Sequence, residues 1–163
     1  MSLLSSHPIW TTAGASPYQT AMSTVQATML SGRYRTELLC SNWSTSSSHC
    51  KTPSCHGQGV DEDLHHILAA CNSLETTRQS LAAFTSNVCL ESPQVKPIVQ
   101  KFCAPTHPQF VQFLLDCSAL PEVILMKQQH GPSVLNPLFR ITRTWCYCLH
   151  RARLKILDRW IKF

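Results

Sequence analysis

Charge is scarce in this chain: only 14% of its 163 residues are Asp, Glu, Lys or Arg. Solvation therefore leans on Ser, Thr, Gln and Asn. The nine acidic residues are scattered and no two aspartates adjoin, which leaves little from which to build a carboxylate metal site. No apolar run approaches the ~20 residues needed to span a bilayer, so no membrane span is expected. No period-2 alternation marks a strand, and no repeat of fixed period marks a solenoid. No cationic segment followed by an apolar core opens the sequence, so no secretion signal is expected. The nine cysteines are an odd number, which argues against a fully paired disulfide framework. Together these absences predict reduced thiols in an intracellular protein of the nucleus or cytoplasm, not a secreted one. The sequon Asn42-Trp43-Ser44 is then a coincidence.

What remains is enough for a globular domain with a real core: hydrophobic residues make up 44% and mean hydropathy is −0.07. A net charge of +5 is a weak pointer to an anionic partner. Apolar residues recur at helical spacing between Pro- and Gly-marked turns, which predicts an all-α protein. Residues 1–16, uncharged and rich in Ser, Thr and Ala, read as a disordered lead-in. Residues 17–90 read as a helical segment and 91–163 as a helical C-terminal region. Ser16-Pro17 is a helix start, and Gly32 ends the stripe of Met22, Val25, Met29 and Leu30. Tyr34, Leu38, Leu39 and Trp43 are expected to pack beneath the segment that follows.

That segment runs from Cys50 to Cys71 and reduces to Cys50-x4-Cys55-x10-His66-x4-Cys71. Three thiols and an imidazole so close in sequence can surround one tetrahedral zinc ion, with no position left for a reacting water. The site would be structural, a small zinc-knuckle-like loop. Pro53 stiffens the first interval, and Gly57 and Gly59 permit a tight path around an ion. Asp61 is placed to cap a helix through Leu64, Ile67 and Leu68, and Asn72-Ser-Leu-Glu75 reads as a capping box for the next helix. Residues five apart in an α-helix lie about 140° apart around its axis. His66 and Cys71 therefore meet only if the helix ends or tightens between them; His65 is the competing ligand. The plainer alternative is three buried thiols acting as small hydrophobes.

Val134 to Trp160 is expected to form the longest helix, with Pro137 in its first turn. From Arg140 onward lie seven of the chain's fourteen Lys and Arg residues. Arg140, Arg143, Arg151, Lys155, Arg159 and Lys162 fall opposite the apolar stripe and suit nucleic-acid phosphates, as do Arg33, Arg35 and Lys51. A solvated outer face is the competing explanation for these charges. Cys146, Cys148 and His150 are not expected to form a second metal group, because Cys148 points away from Cys146 on a continuous helix.

The run Gly32-Arg-Tyr-Arg-Thr-Glu-Leu-Leu-Cys-Ser-Asn-Trp-Ser, then Cys50-x4-Cys55, then Glu-Asp-Leu-His-His-Ile-Leu-x-x-Cys, resembles the region downstream of the polymerase in LINE-type (non-LTR) retrotransposon reverse transcriptases. The resemblance covers about Leu30 to Leu81. It implies Cys50, Cys55, His66 and Cys71 as ligands of a Cys-Cys-His-Cys finger, and a segment that helps hold element RNA or target DNA. The Tyr/Phe-Ala-Asp-Asp polymerase signature is missing, so the resemblance implies a detached tail rather than a polymerase. The expected function is a non-enzymatic RNA- or DNA-binding module stabilised by one zinc ion. The alternative is a helical protein-interaction module, its apolar helix faces covered by a protein partner, or a non-functional retroelement remnant. A thiol nucleophile at Cys89 or Cys103 beside His107 is not expected across the intervening proline turns.

Overall fold

The computed structural model describes residues 7–11 and 16–157. Among the described residues the protein is all-α, with eight α-helices and no strand. They are α1 Pro8–Thr11, α2 Pro17–Leu30, α3 Glu37–Ser41, α4 Glu75–Glu91, α5 Lys96–Phe102, α6 Phe110–Asp116, α7 Pro121–His130 and α8 Asn136–Ile156. Proline opens α2, α5, α7 and α8, where its missing N–H would have no intrahelical partner anyway. The Gly32 N–H bonds the Met29 carbonyl and the Arg33 N–H bonds the Thr28 carbonyl, each at 3.1 Å. This paired closure ends α2 and turns the chain sharply. Within the lead-in expected over residues 1–16, α1 packs on α2 with Ile9 buried; the rest of that stretch lies outside the described residues.

Helix α8 is the axis of the fold. Helices α2, α4 and α6 pack around it, so the two expected regions share one core. Trp145 sits at its centre, edge-on to Phe110 at 5.5 Å, and its indole N–H donates to Thr85 Oγ1 at 2.8 Å. That bond satisfies the one polar atom of the largest buried side chain. Gln26 of α2 donates to the Leu114 carbonyl at 2.7 Å and to Thr142 Oγ1 at 3.1 Å. These buried amide bonds tie three helices together. Among the described residues no helix is long and apolar enough to cross a membrane.

Candidate metal centre

The segment between α3 and α4 has little regular structure. It leaves α3 through a serine-rich turn and is pinched at its neck by one antiparallel bridge between His49 and Asp61. The Cys50 N–H bonds the Val60 carbonyl at 2.8 Å and the Glu62 N–H bonds the Ser48 carbonyl at 2.9 Å. Inside the neck, the Cys55 and His56 N–H groups both reach the Thr52 carbonyl, at 3.0 and 2.9 Å. This turn over Pro53 brings Cys50 and Cys55 to one side. Gly57 and Gly59 both hold positive φ, 79° and 67°, which lets the chain double back to the neck within a few residues.

After the neck, Asp63 rather than Asp61 caps the next turn: its Oδ1 accepts from the His66 N–H at 2.7 Å. Asp61 is spent on the bridge and on the Ser48 hydroxyl. The helix from Leu64 then widens. Residues His66–Ala70 form a π-turn closed by the Cys71 N–H on the His66 carbonyl at 2.7 Å. An i→i+5 closure stacks residue 71 over residue 66, where an α-helix would swing it away. The helix ends at Ala70, before Cys71, as the sequence reading required, and its last turn is wound one residue looser than an α-helix rather than tighter. Asn72–Leu74 forms a 3₁₀ turn into α4 without a side-chain cap. The expected capping box does not form, because Glu75 turns to Arg78 at 3.0 Å instead.

These turns gather Cys50, Cys55, His66 and Cys71, all buried, with ligand atoms within 4.8 Å of one another. His65 is exposed and takes no part. Cys55 Sγ lies 3.9 Å from Cys71 Sγ and 3.5 Å from His66 Nε2. Bonds of about 2.3 Å to sulfur and about 2.0 Å to nitrogen, set tetrahedrally, place neighbouring ligand atoms about 3.8 and 3.5 Å apart. The donor set and its spacing therefore fit one four-coordinate metal ion.

The surroundings suit that reading. Burial, helped by Arg78 and His65 and opposed by Glu62 and Asp63, lowers the pKa of His66 and keeps the imidazole neutral, the form that ligates. Burial pushes the Cys50 thiol up to about 12, so an ion must displace its proton on binding. The buried Thr52 hydroxyl lies between Cys50 Sγ at 3.2 Å and Cys71 Sγ at 3.3 Å, and can donate to either thiolate. Arg78 reaches the Cys71 carbonyl at 2.6 Å. Three thiolates, a neutral imidazole and a bound dication would sum to −1 beside this guanidinium, which Glu75 also engages.

A buried ionic network ties the centre to α8. Arg153 donates to both carboxylate oxygens of Glu62, to Oε2 at 3.1 Å, and lies 3.9 Å from Glu37. Glu62 also accepts the Glu37 N–H at 2.9 Å, and Lys51 bonds Glu37 at 2.7 Å. Above it, the Tyr34 hydroxyl meets His150 Nδ1 at 2.8 Å. The sequence reading missed Thr52, Glu62, Asp63, Arg78 and Arg153. The one available signal was the acidic cluster Asp61-Glu62-Asp63, in a chain poor in acids, one turn before the histidine.

The residues expected to meet phosphates separate into groups. Arg33 and Arg35 are exposed, and Lys51 stands beside them, engaged with Glu37. Arg140 pairs with Glu91 at 3.2 Å, Arg151 lies over the Tyr147 ring, and Lys155 is exposed. Arg143 departs from expectation: it is only 6% exposed and donates to Ser23 Oγ at 3.3 Å. The expected basic face is broken there because α2 packs over that side of α8. Arg159, Lys162 and Trp160 lie outside the described residues. Trp43, expected beneath the loop, stands 76% exposed. Cys146 is buried against the Leu114 carbonyl, and among the described residues it joins no metal cluster. Burial raises the thiol pKa of both Cys89 and Cys103, the latter to about 12, so neither is a ready thiolate.

Compared with protein-family models, curated proteins and solved structures, the chain matches none of them.

Proposed function

We propose that this protein is a zinc-stabilised, non-enzymatic nucleic-acid-binding module of the cell interior, derived from the C-terminal tail of a LINE-type reverse transcriptase. The observation that carries the proposal is the convergence of Cys50, Cys55, His66 and Cys71 within 4.8 Å in a buried site. Sulfur-rich tetrahedral sets select zinc or iron–sulfur clusters, and a Cys₃His set around a single ion is a structural zinc arrangement. Bound there, zinc would cross-link the Thr52 turn to the π-turn. Around it, Lys51 follows the first ligand directly, and Arg33 and Arg35 stand exposed nearby, where phosphates can reach them. The retroelement origin rests on the motif Glu-Asp-Leu-His-His-Ile-Leu-x-x-Cys and its partner cysteines.

Native mass spectrometry of the purified protein tests the metal: one zinc per chain is expected, lost in Cys55→Ser and Cys71→Ser. Titration of labelled RNA and DNA at two salt concentrations tests the function, with binding at low salt that weakens steeply as salt rises. A second reading, a protein-interaction module, is favoured by exposed Leu90, Ile124 and Leu125. It takes precedence if no nucleic acid binds at low salt.

A further inference from the structure

A cleft of about 890 Å³ opens between the turn after α2, helix α3 and the C-terminal half of α8. We propose that it holds one nucleotide unit of a single-stranded nucleic acid, with the phosphate on Arg33 and Arg35 and the base inside. This inference rests on the nucleic-acid reading above and assigns that reading a place. The volume falls in the range of about 300–1,000 Å³ that suits compact organic ligands.

The cleft carries its charge at the rim. Arg33, Arg35 and Lys51 line it, and Glu37 is the one acidic residue of its lining. Lys51 is already engaged with Glu37, whereas among the described residues Arg33 and Arg35 have no acidic partner. The chain that leaves the paired closure at the end of α2 carries both arginines, two residues apart, into the lining of the cleft. Guanidinium forks grip phosphate oxygens bidentately, which favours a phosphate over a diffuse negative surface. The floor is quieter. Arg153 is neutralised by Glu62, and burial holds the His150 pKa down at about 4, so the imidazole is uncharged near neutral pH. Tyr34 and Leu154 give apolar wall, while Ser44 and Ser46 supply hydroxyls for base or sugar edges. Next to Ser44 in the chain, the exposed Trp43 is free to stack on an adjacent base.

The test measures anisotropy of labelled ten-nucleotide single strands, RNA and DNA, against wild type, the Arg33→Ala/Arg35→Ala pair and the Arg151→Ala/Lys155→Ala pair. The replaced arginines of the cleft are exposed, so folding is expected to be unchanged, and circular dichroism checks it. The cleft pair should lose tenfold or more in affinity. It should also flatten the slope of log affinity against log salt by about 0.7, the share of one single-strand phosphate. A loss under twofold in the cleft pair, with the α8 pair carrying the defect, would overturn the cleft while leaving nucleic-acid binding intact. No binding by wild type at low salt would overturn both. Equal competition by a polyglutamate peptide would overturn the nucleotide in favour of an acidic protein segment.

Discussion

Two halves of this molecule are built on different physics. Around Trp145, the body of the protein packs Phe102, Phe110, Phe113, Leu114, Leu138 and Ile141 at near-zero exposure. Its stability comes from apolar surface removed from water, and nothing must bind for that to happen. Between α3 and α4 the buried set is mixed: Ile67, Leu68 and Leu74 join the apolar core, while Thr52, Glu62, His66 and three thiols are buried beside them. Buried polar and ionic groups of this kind contribute little net stability on their own. This half leans on hydrogen bonds around a donor set, and on the proposed reading a bound ion would add to its order. Size alone does not decide which part of a chain is robust; the chemistry of what it buries does.

The largest expected effect separates the halves outright. If the cluster holds zinc as proposed, Cys71→Ser forfeits a binding energy that runs to about 10–16 kcal/mol in small fingers. Amide exchange should become fast across residues 48–74 and stay slow in α4, α6 and α8; fast exchange in all of them would mean that the halves form one cooperative unit. Trp145→Ala is the mirror experiment. It should lower stability by about 3–5 kcal/mol in urea while metal content stays at one per chain. Glu62→Gln probes the seam between them. It leaves Arg153 buried with a weakened partner, and a broken buried pair costs about 3–5 kcal/mol. Glu62→Leu combined with Arg153→Met should recover most of that loss, since the charge goes with its partner.

Acid should act on the seam as well. Burial, then Arg153 and Arg151, depress the His150 pKa to about 4, against an ordinary value of about 6.5. The unfolded chain takes up this proton first. The His150 contribution is therefore complete above about pH 6.5 and lost as pH falls toward 4. The protonated ring also cannot accept the Tyr34 hydroxyl at Nδ1. Subtracting the pH–stability curve of His150→Gln from that of wild type should leave a difference that falls across this window and is flat above it. The smallest effect belongs to Thr36, whose Oγ1 accepts the Leu39 N–H at 3.0 Å. Thr36→Ala should cost about 1 kcal/mol by thermal melting, and it should loosen α3 without releasing metal.

The same division governs how much was legible in the sequence. The helices of the body were readable because proline and apolar spacing act locally: Pro17, Pro121 and Pro137 open helices where a first-turn proline belongs. The cluster of Cys50, Cys55, His66 and Cys71 was readable because three thiols and an imidazole stand at close spacing in the chain. What joins His66 to Cys71 was not. A π-turn costs only one residue of winding and leaves no compositional mark, so the sequence reading could require only that the helix end or tighten between the two. Asp63 displaced Asp61 as cap because the neck bridge claims Asp61, a pairing between residues 49 and 61 that local patterns do not show. Arg143 was read onto the outer basic face, and Arg153 was not singled out, because helical periodicity alone does not show what packs over α8. Packing by α2, and a carboxylate 91 positions upstream, bury both.

The neck also sets a rule for searching other genomes. Because the bridge at His49 and Asp61 closes the loop, the chain between Gly57 and Val60 contributes no cluster side chain and touches the cluster only through backbone bonds to Cys50 and Cys55. The two four-residue intervals, by contrast, are fixed by the Thr52 turn and by the π-turn. A profile for this centre should therefore hold both short intervals rigid, permit insertions in the long one, and require an acid three positions before the histidine.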